Sequence, residues 1–306
     1  PDDSKKALRI SSQRVDLASL GPLYDVFAPG FNDLGITGQC APDISVAWTP
    51  QGAYRANGTV GLSNAAWTVA DIPLRDIAGT LDLDATNERI KVATSDTKGM
   101  LRDAPFTMQL QSGLKDMNAG LETMTVGIFD GTGTLKTEAK VEGEMPFTTD
   151  VKLNGMKVEQ IIPALLPDTP SNITGTVTEL GANVSGTLNE NLMPSIAGKA
   201  NMHLSDGLIK DVNIGKEVLG KVNEIPFVSG ALLSVVPESM IAFVEKKHTV
   251  LESVTGTFDV AQETLTTEDL KIESDFFRLE GKGTIGFDTD LDLDAVIYFA
   301  KNVSDG

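Results

Sequence analysis

The chain has 306 residues, of which 43 are acidic and 25 are basic, so its formal net charge at neutral pH is −18. This excess of negative charge repels phosphate backbones and anionic membrane surfaces, so nucleic acid is not an expected partner. The single cysteine, Cys40, excludes an intrachain disulfide, a cysteine-ligated zinc site and an iron–sulfur cluster.

Membrane-spanning segments are not predicted. The chain begins Pro1-Asp2-Asp3 without a basic segment followed by an apolar stretch, so neither a signal peptide nor an amino-terminal anchor is expected in it. The most apolar stretch, residues 225–244, contains Pro226, Pro237 and Glu238. Because a carboxylate near the middle of a bilayer costs about 2.5–3.5 kcal/mol, this stretch is interpreted as a buried or interfacial pair of helices.

Apolar and polar residues alternate with period two through most of the chain, which predicts strands with one buried face. Clear examples are residues 106–110, 135–141 and 291–299. The opposite face of the last example carries four aspartates: Asp288, Asp290, Asp292 and Asp294. This strand is therefore expected to be apolar on one side and hydrated on the other.

A short motif recurs in these predicted strands: an apolar residue, any residue, glycine, and then threonine or lysine. Its copies are residues 77–81, 173–177, 184–188, 196–200 and 254–258, with a doubled version at residues 279–285. Glycine inside a strand marks a bulge, a bend or a close approach of two backbones. Repetition once per strand predicts a sheet that curves systematically.

Two short apolar helices divide the chain into related halves. A helix near residues 17–28 precedes Ile36-Thr37-Gly38, and a helix near residues 156–166 precedes Ile173-Thr174-Gly175. The predicted halves are a first strand repeat over residues 1–155 and a second over residues 156–306.

The second half contains a predicted helical insert over residues 212–247. Ile214, Val218, Val222 and Ile225 recur at helical spacing, and Pro226 ends that helix. Further apolar segments follow, so we expect several short helices. Their apolar stripe is expected to lie over the concave sheet face, either as a mobile lid or as a plug of ordinary core.

The sequence carries no recognisable catalytic or metal-binding motif. His203 and His248 stand in no metal-ligand spacing and beside no nucleophile motif, so a structural or solvated role is expected for both. The aspartates from Asp288 onward do not match a calcium loop, because Leu293 and Phe299 occupy the positions that require glycine and glutamate. We therefore expect no enzyme activity, no cofactor and no metal.

The order of the strand and glycine motifs carries a family resemblance. In the second half it includes residues 173–175, 196–198, 204–209, the helical insert, 254–258 and 279–283; in the first half it includes residues 48–52 and 72–81. In this order the motifs resemble the AsmA-like family. The resemblance implies an envelope protein of diderm bacteria, anchored in the inner membrane by an amino-terminal helix, with a periplasmic groove that carries or shields lipid between the membranes.

The expected fold is mostly β: an elongated, curved antiparallel sheet shaped like a gutter, with short amphipathic helices. Together with the resemblance, this fold predicts a non-enzymatic periplasmic protein whose apolar groove binds or conducts a phospholipid or other acyl lipid between the inner and outer membranes. The residues expected to line the groove are Val218, Leu219, Val222, Leu232, Leu233, Val236, Leu291, Leu293, Ile297 and Phe299.

Two other functions stay open at this level. An envelope scaffold or adapter would enclose the same apolar residues in a core and bind its partners through the charged outer face. A β-solenoid enzyme acting on carbohydrate would also show repeated strands and many acids. Such enzymes stack aromatic side chains on sugars, and aromatic residues make up only 6% of this chain.

Overall fold

The computed structural model describes residues 6–20, 35–69, 72–116, 118–141, 144–165, 167, 172–187, 192–214, 216–217, 246–287 and 290–299. These residues are mostly in strands, which form one open antiparallel sheet of 17 strands with few helices. The predicted mostly β, antiparallel fold is therefore confirmed. The chain divides into two compact units, Pro1–Lys152 with Ser185–Glu190, and Leu153–Val184 with Asn191–Gly306. The predicted strand repeats that meet at residues 155 and 156 stay a prediction.

The first unit holds strands β1 to β9 and most of β10. Their bounds are Lys6–Ser11 (β1), Val15–Asp16 (β2), Thr37–Trp48 (β3), Tyr54–Val69 (β4), Ile72–Thr86 (β5), Arg89–Leu101 (β6), Ala104–Lys115 (β7), Asn118–Ile128 (β8), Gly131–Lys140 (β9) and Pro146–Asn154 (β10). Both β1 and β2 pair with β3, and β3 to β9 then pair with one another in chain order, always antiparallel. A 3-10 helix, Leu17–Leu20, occupies the start of the helix predicted near residues 17–28, of which residues 21–28 lie outside the described residues.

The second unit holds two short helices and the remaining strands, except for the last three residues of β12, which belong to the first unit. The strands are Met156–Lys157 (β11), Ile173–Thr187 (β12), Ala197–Ile209 (β13), Thr249–Ala261 (β14), Thr264–Glu273 (β15), Phe277–Gly286 (β16) and Leu291–Phe299 (β17). The helices are Val158–Leu165, within the range predicted for the second helix, and Leu192–Ser195. At the start of the predicted insert, Ile214, Lys216 and Glu217 are helical, whereas residues 218–245 lie outside the described residues.

No helix among the described residues has the length and apolarity needed to cross a bilayer.

Period-two alternation gives the sheet one apolar and one polar face, as β9 shows most plainly. Thr132, Thr134 and Lys136 are exposed, whereas Gly133 and Leu135 between them are buried or half-buried. The strands predicted at residues 106–110 and 135–141 correspond to β7 and β9.

Both units contain the same irregularity in strand pairing. In the first unit, Ala78 pairs with Lys98 and Asp82 with Ala93, which places one extra residue on β6. In the second unit, Thr255 pairs with Lys271 and Asp259 with Thr266, which places one extra residue on β15. An extra residue of this kind is a β-bulge, which bends its strand and increases the local twist. The two units therefore repeat a structural element as well as a sequence motif.

An aspartate in each bulge binds the glycine-threonine motif of the preceding strand. The Asp96 carboxylate accepts a hydrogen bond of 3.1 Å from the backbone N–H of Thr80. The Asp269 carboxylate accepts one of 2.7 Å from the backbone N–H of Thr257 and another of 2.9 Å from its hydroxyl group. The bulge disrupts the regular ladder, and the aspartate satisfies a backbone donor there.

A residue with positive φ also recurs, beside each of the two isoleucine-threonine-glycine motifs. Asn64 and Asp206 each follow a leucine-serine pair and adopt a positive φ, of 49° and 51°. Gly38 lies against the backbone of Asn64, and Gly175 lies against the backbone of Ser205 and Gly207. The motifs that suggested related halves thus occupy equivalent places in the two units.

The close approach of strands at these glycines predicts a large and specific cost of adding a side chain. Gly283 in β16 has a φ of 147°, and a Cβ there would collide with the backbone of Asp292 in β17. We expect Gly283→Ala to lower the free energy of unfolding by about 2–3 kcal/mol. Urea denaturation measures this change.

Gly281, two residues earlier in the same strand, supplies the control. A Cβ there would meet its nearest neighbours at 3.5 Å, an ordinary contact distance. Gly281→Ala should therefore change stability by less than about 0.5 kcal/mol. Equal urea midpoints for the two variants would contradict the close approach at Gly283.

Candidate functional site

The four predicted groove residues in β17 lie on one face of the sheet. Cross-strand register places Leu291 beside Ile285, and places Ile297 beside Leu279. Leu293, Ile297 and Phe299 are half-buried, whereas Leu291 is 63% exposed. The other six predicted residues, Val218, Leu219, Val222, Leu232, Leu233 and Val236, lie outside the described residues.

Elsewhere in the second unit, the apolar side chains on this face of the sheet are buried. Phe258, Val260, Leu270 and Phe277 have at most 7% of their surface exposed. Register connects this closed region to β17, because Val260 pairs with Leu265 and Leu265 pairs with Ile285. The apolar face therefore becomes more exposed from β14 towards β17.

The first unit has a broader half-exposed apolar surface, which sequence reasoning did not assign to the site. It comprises Val92, Leu110, Leu114, Leu121, Met124, Leu135 and Phe147, from strands β6 to β10, and is called here the first-unit apolar face; all seven side chains are half-buried. Register aligns Leu110, Met124 and Leu135 across three neighbouring strands. Their alternation was visible in the sequence, but their alignment follows from pairing and could not be seen there.

One end of this face is closed and the other is open. At the closed end, Ile77 is 1% exposed, and Phe106 and Ile128 are also buried. Gly99 completes the packing there, because a Cβ at that position would lie 2.9 Å from Ile77 and 2.8 Å from Phe106. At the open end, where β6 begins, Ile90 is exposed.

The opposite face of these strands, continued on β4 and β5, is polar. Lys91 Nζ lies 3.8 Å from Glu122 Oε1, and Arg89 and Arg55 each lie 3.6 Å from a carboxylate oxygen of Asp84. Exposed pairs of this kind contribute about 0–1 kcal/mol each. Their charged groups keep this face in contact with water, in contrast to the first-unit apolar face.

The described part of the chain shows no group of three or more potential metal ligands. Asp290, Asp292 and Asp294 are exposed, as expected for a solvated strand face, and Asp288 lies outside the described residues. His203 is exposed in β13, and His248 Nδ1 accepts a hydrogen bond of 2.9 Å from the backbone N–H of Asp211. His203 is thus solvated, and His248 contributes a structural hydrogen bond.

A depression of 410 Å³ lies at β15 to β17. Its lining includes Glu268, Lys271, Glu280, Lys282 and Asp294. Lysines and carboxylates are mixed there beside Leu270 and Val296, so the depression has no single-sign charge and places charged groups next to any acyl chain. The first-unit apolar face is the better candidate site.

Comparison with known proteins gives no relative: no family model, no curated protein and no solved structure matches this chain.

The bulge aspartate of the second unit predicts a pH-dependent contribution to stability. The hydrogen bond from the backbone N–H of Thr257, with those from the hydroxyl groups of Thr257 and Thr267, holds the pKa of Asp269 below its ordinary value. The ionised carboxylate therefore stabilises the fold above the ordinary pKa of aspartate, about 4, and this contribution is lost as pH falls through the lower pKa of the folded state.

We expect Asp269→Asn to lower the free energy of unfolding by about 1 kcal/mol at pH 7, a value that allows for solvent exposure. The difference from the parent protein should shrink as pH falls below about 4. Denaturation at several pH values measures it, with the neighbouring Glu268→Gln as control. A difference that does not vary with pH would contradict this role for Asp269.

Proposed function

We propose that this protein binds the acyl chains of a lipid on the apolar face of its sheet, without catalysing a reaction. The observation that carries the proposal is the first-unit apolar face, where seven large apolar side chains are half-exposed on neighbouring strands. Large apolar side chains left half-exposed on several neighbouring strands mark a site for another molecule. The polar opposite face confines that molecule to one side of the sheet.

An acyl chain suits this surface because it is long, apolar and needs no hydrogen bonds. Four strand spacings of about 4.8 Å separate β6 from β10, so the face is about 19 Å wide. Each methylene removed from water contributes about 0.8 kcal/mol, so a chain of about sixteen carbons has about 12 kcal/mol available before ordering costs. The open end at Ile90 would leave the head group in water.

The cellular setting is part of the same proposal. The ordered glycine motifs resemble the AsmA-like family, and the two units repeat the same bulges. Together they support a periplasmic envelope protein that shields a phospholipid or a similar lipid between the inner and outer membranes. An anchor in the inner membrane belongs to this proposal through the resemblance alone.

Native mass spectrometry and uptake of labelled phospholipid from neutral vesicles test the proposal. We expect gently purified protein to carry lipid, and Leu135→Asp to reduce uptake at least tenfold, because it places a charge on the apolar face. Thr134→Asp introduces the same charge on the polar face of the same strand and should leave uptake unchanged.

Circular dichroism and urea midpoints establish whether each variant is folded. If the parent protein carries no lipid and takes up none, the proposal fails and a scaffold with a closed core replaces it. If both variants reduce uptake equally while folded, the binding surface is not the first-unit apolar face.

A further inference from the structure

The side of the sheet that carries the first-unit apolar face is arranged in rows, because register aligns its residues across strands β6 to β9. On β7 the successive rows contain Leu114, Ser112, Leu110, Met108 and Phe106. The row of Leu114 lies at the open end, and the row of Phe106 lies at the closed end. A molecule that lies along β7 therefore extends from the exposed part of this side to its buried part.

Exposure on this side ends between two neighbouring rows. Met108 and Val126, which pair with each other, are half-buried. Phe106, two residues farther along β7, is buried, and so is Ile128, two residues farther along β8. The change from half-exposed to buried therefore takes place within about 7 Å along the strands.

Phe106 forms this boundary by lying across the neighbouring strand. A Cβ added at Gly99 in β6 would lie 2.8 Å from Phe106 Cζ and 2.9 Å from Phe106 Cε1, so the ring rests on the backbone of Gly99. The same Cβ would lie 2.9 Å from Cγ1 of Ile77, a buried side chain of β5. The ring thus fills the space above β6 as far as Ile77, and a ligand on this side of the sheet meets it as a wall.

The half-exposed part of β7 has the length of an acyl chain. From Leu114 to Met108 the strand has no extra residue of its own and covers six residue steps, or about 20 Å. An acyl chain in one leaflet of a bilayer spans about 15 Å, half of a hydrocarbon core of about 30 Å. A chain from a membrane lipid therefore fits, extended along β7, between the open end and Phe106.

We propose that Phe106 sets the maximum length of the acyl chain that the first-unit apolar face holds. The chain lies parallel to the strands, with its head group in water near Ile90 and its terminal methyl group against the Phe106 ring. Exposure does not change in this way across β7 to β9, where Leu110, Met124 and Leu135 of one row are all half-buried. The inference rests on the proposed function, because it concerns the lipid bound at the same site.

The dependence of uptake on chain length is the property that this arrangement determines. When lipid moves from a vesicle to the protein, each methylene that fits on the face exchanges one apolar environment for another, so uptake does not depend on length. A methylene beyond the limit loses the apolar environment that the vesicle gave it. Each one should then reduce uptake about fourfold.

Met108→Trp tests the proposal by moving the wall one row towards the open end. Labelled phosphatidylcholines with a single acyl chain of increasing length are offered at low mole fraction in neutral vesicles. We expect the length at which uptake begins to fall to be about one third shorter in Met108→Trp than in the parent protein, because one of three steps between rows is lost. Thr107→Trp adds the same ring on the exposed opposite face of β7 and should leave this length unchanged.

Phe106→Leu tests the wall from the other side. The smaller apolar side chain opens space beside Ile77, so we expect uptake to begin to fall only at longer chains. Circular dichroism and urea midpoints establish that each variant is folded, and either folded variant suffices for the test.

The outcomes separate this inference from the proposed function. If the parent protein takes up no lipid of any length, the proposed function fails and the inference fails with it. If lipid is taken up but uptake does not fall at any length, the face holds lipid and Phe106 is not its limit. The same conclusion follows if the limiting length is equal in the parent protein and in a folded variant at Met108 or Phe106.

Discussion

The structure depends on a single constraint: a sheet with one apolar face must have that face covered. At the closed end of the first unit the protein covers it itself, with Ile77 and Phe106 packed where Gly99 leaves room for them. Farther along the same strands, Leu114 and Leu121 continue the alternation but are only half-buried. The pattern of residues does not change between the two ends. The difference lies in what covers them: under the proposed function, an acyl chain would cover this face at the open end, as side chains do at the closed end.

The bulges explain how a regular alternation is maintained beside an irregular backbone. Thr94 and Thr97 are both buried although they are three residues apart, and their hydroxyl oxygens lie 2.7 Å from each other. Thr267 and Leu270 have the same spacing and are both buried in the second unit. One extra residue on a strand moves the side chains that follow it to the other face of the sheet, because side chains alternate between the two faces. The aspartate in each bulge satisfies a backbone donor that the shift leaves without its regular partner.

Sequence reasoning predicted the features that depend on local periodicity. The strands at residues 106–110, 135–141 and 291–299, and the hydrated aspartates of β17, follow from alternation alone. Glycine inside a strand was expected to mark a bulge, a bend or a close backbone approach, and Gly283 shows the last of these. Features that depend on pairing were not accessible: Leu110, Met124 and Leu135 become one row only when register is known. The same holds for the bond between Asp96 and Thr80, whose partners lie on different strands.

The site residues predicted from the sequence lie in the second unit, whereas the first-unit apolar face lies in the first. The sequence directed attention to β17 and to the helical insert, because those segments contain the densest apolar runs. The first-unit apolar face is spread over five strands, with only one or two of its seven residues on each, so no single stretch stands out. The apolar surface forms only in the sheet, where the short alternating segments of neighbouring strands lie side by side.

Photocrosslinking to lipid tests the central claim most directly. A benzophenone side chain at Leu121, on the first-unit apolar face, is compared with one at Thr123, which is exposed two residues along β8 beyond the bulge. Each protein is irradiated with labelled phospholipid in neutral vesicles. We predict lipid attached at residue 121 and little at residue 123. Equal labelling at both positions, or none at residue 121 in folded protein, would contradict the claim that this face holds acyl chains.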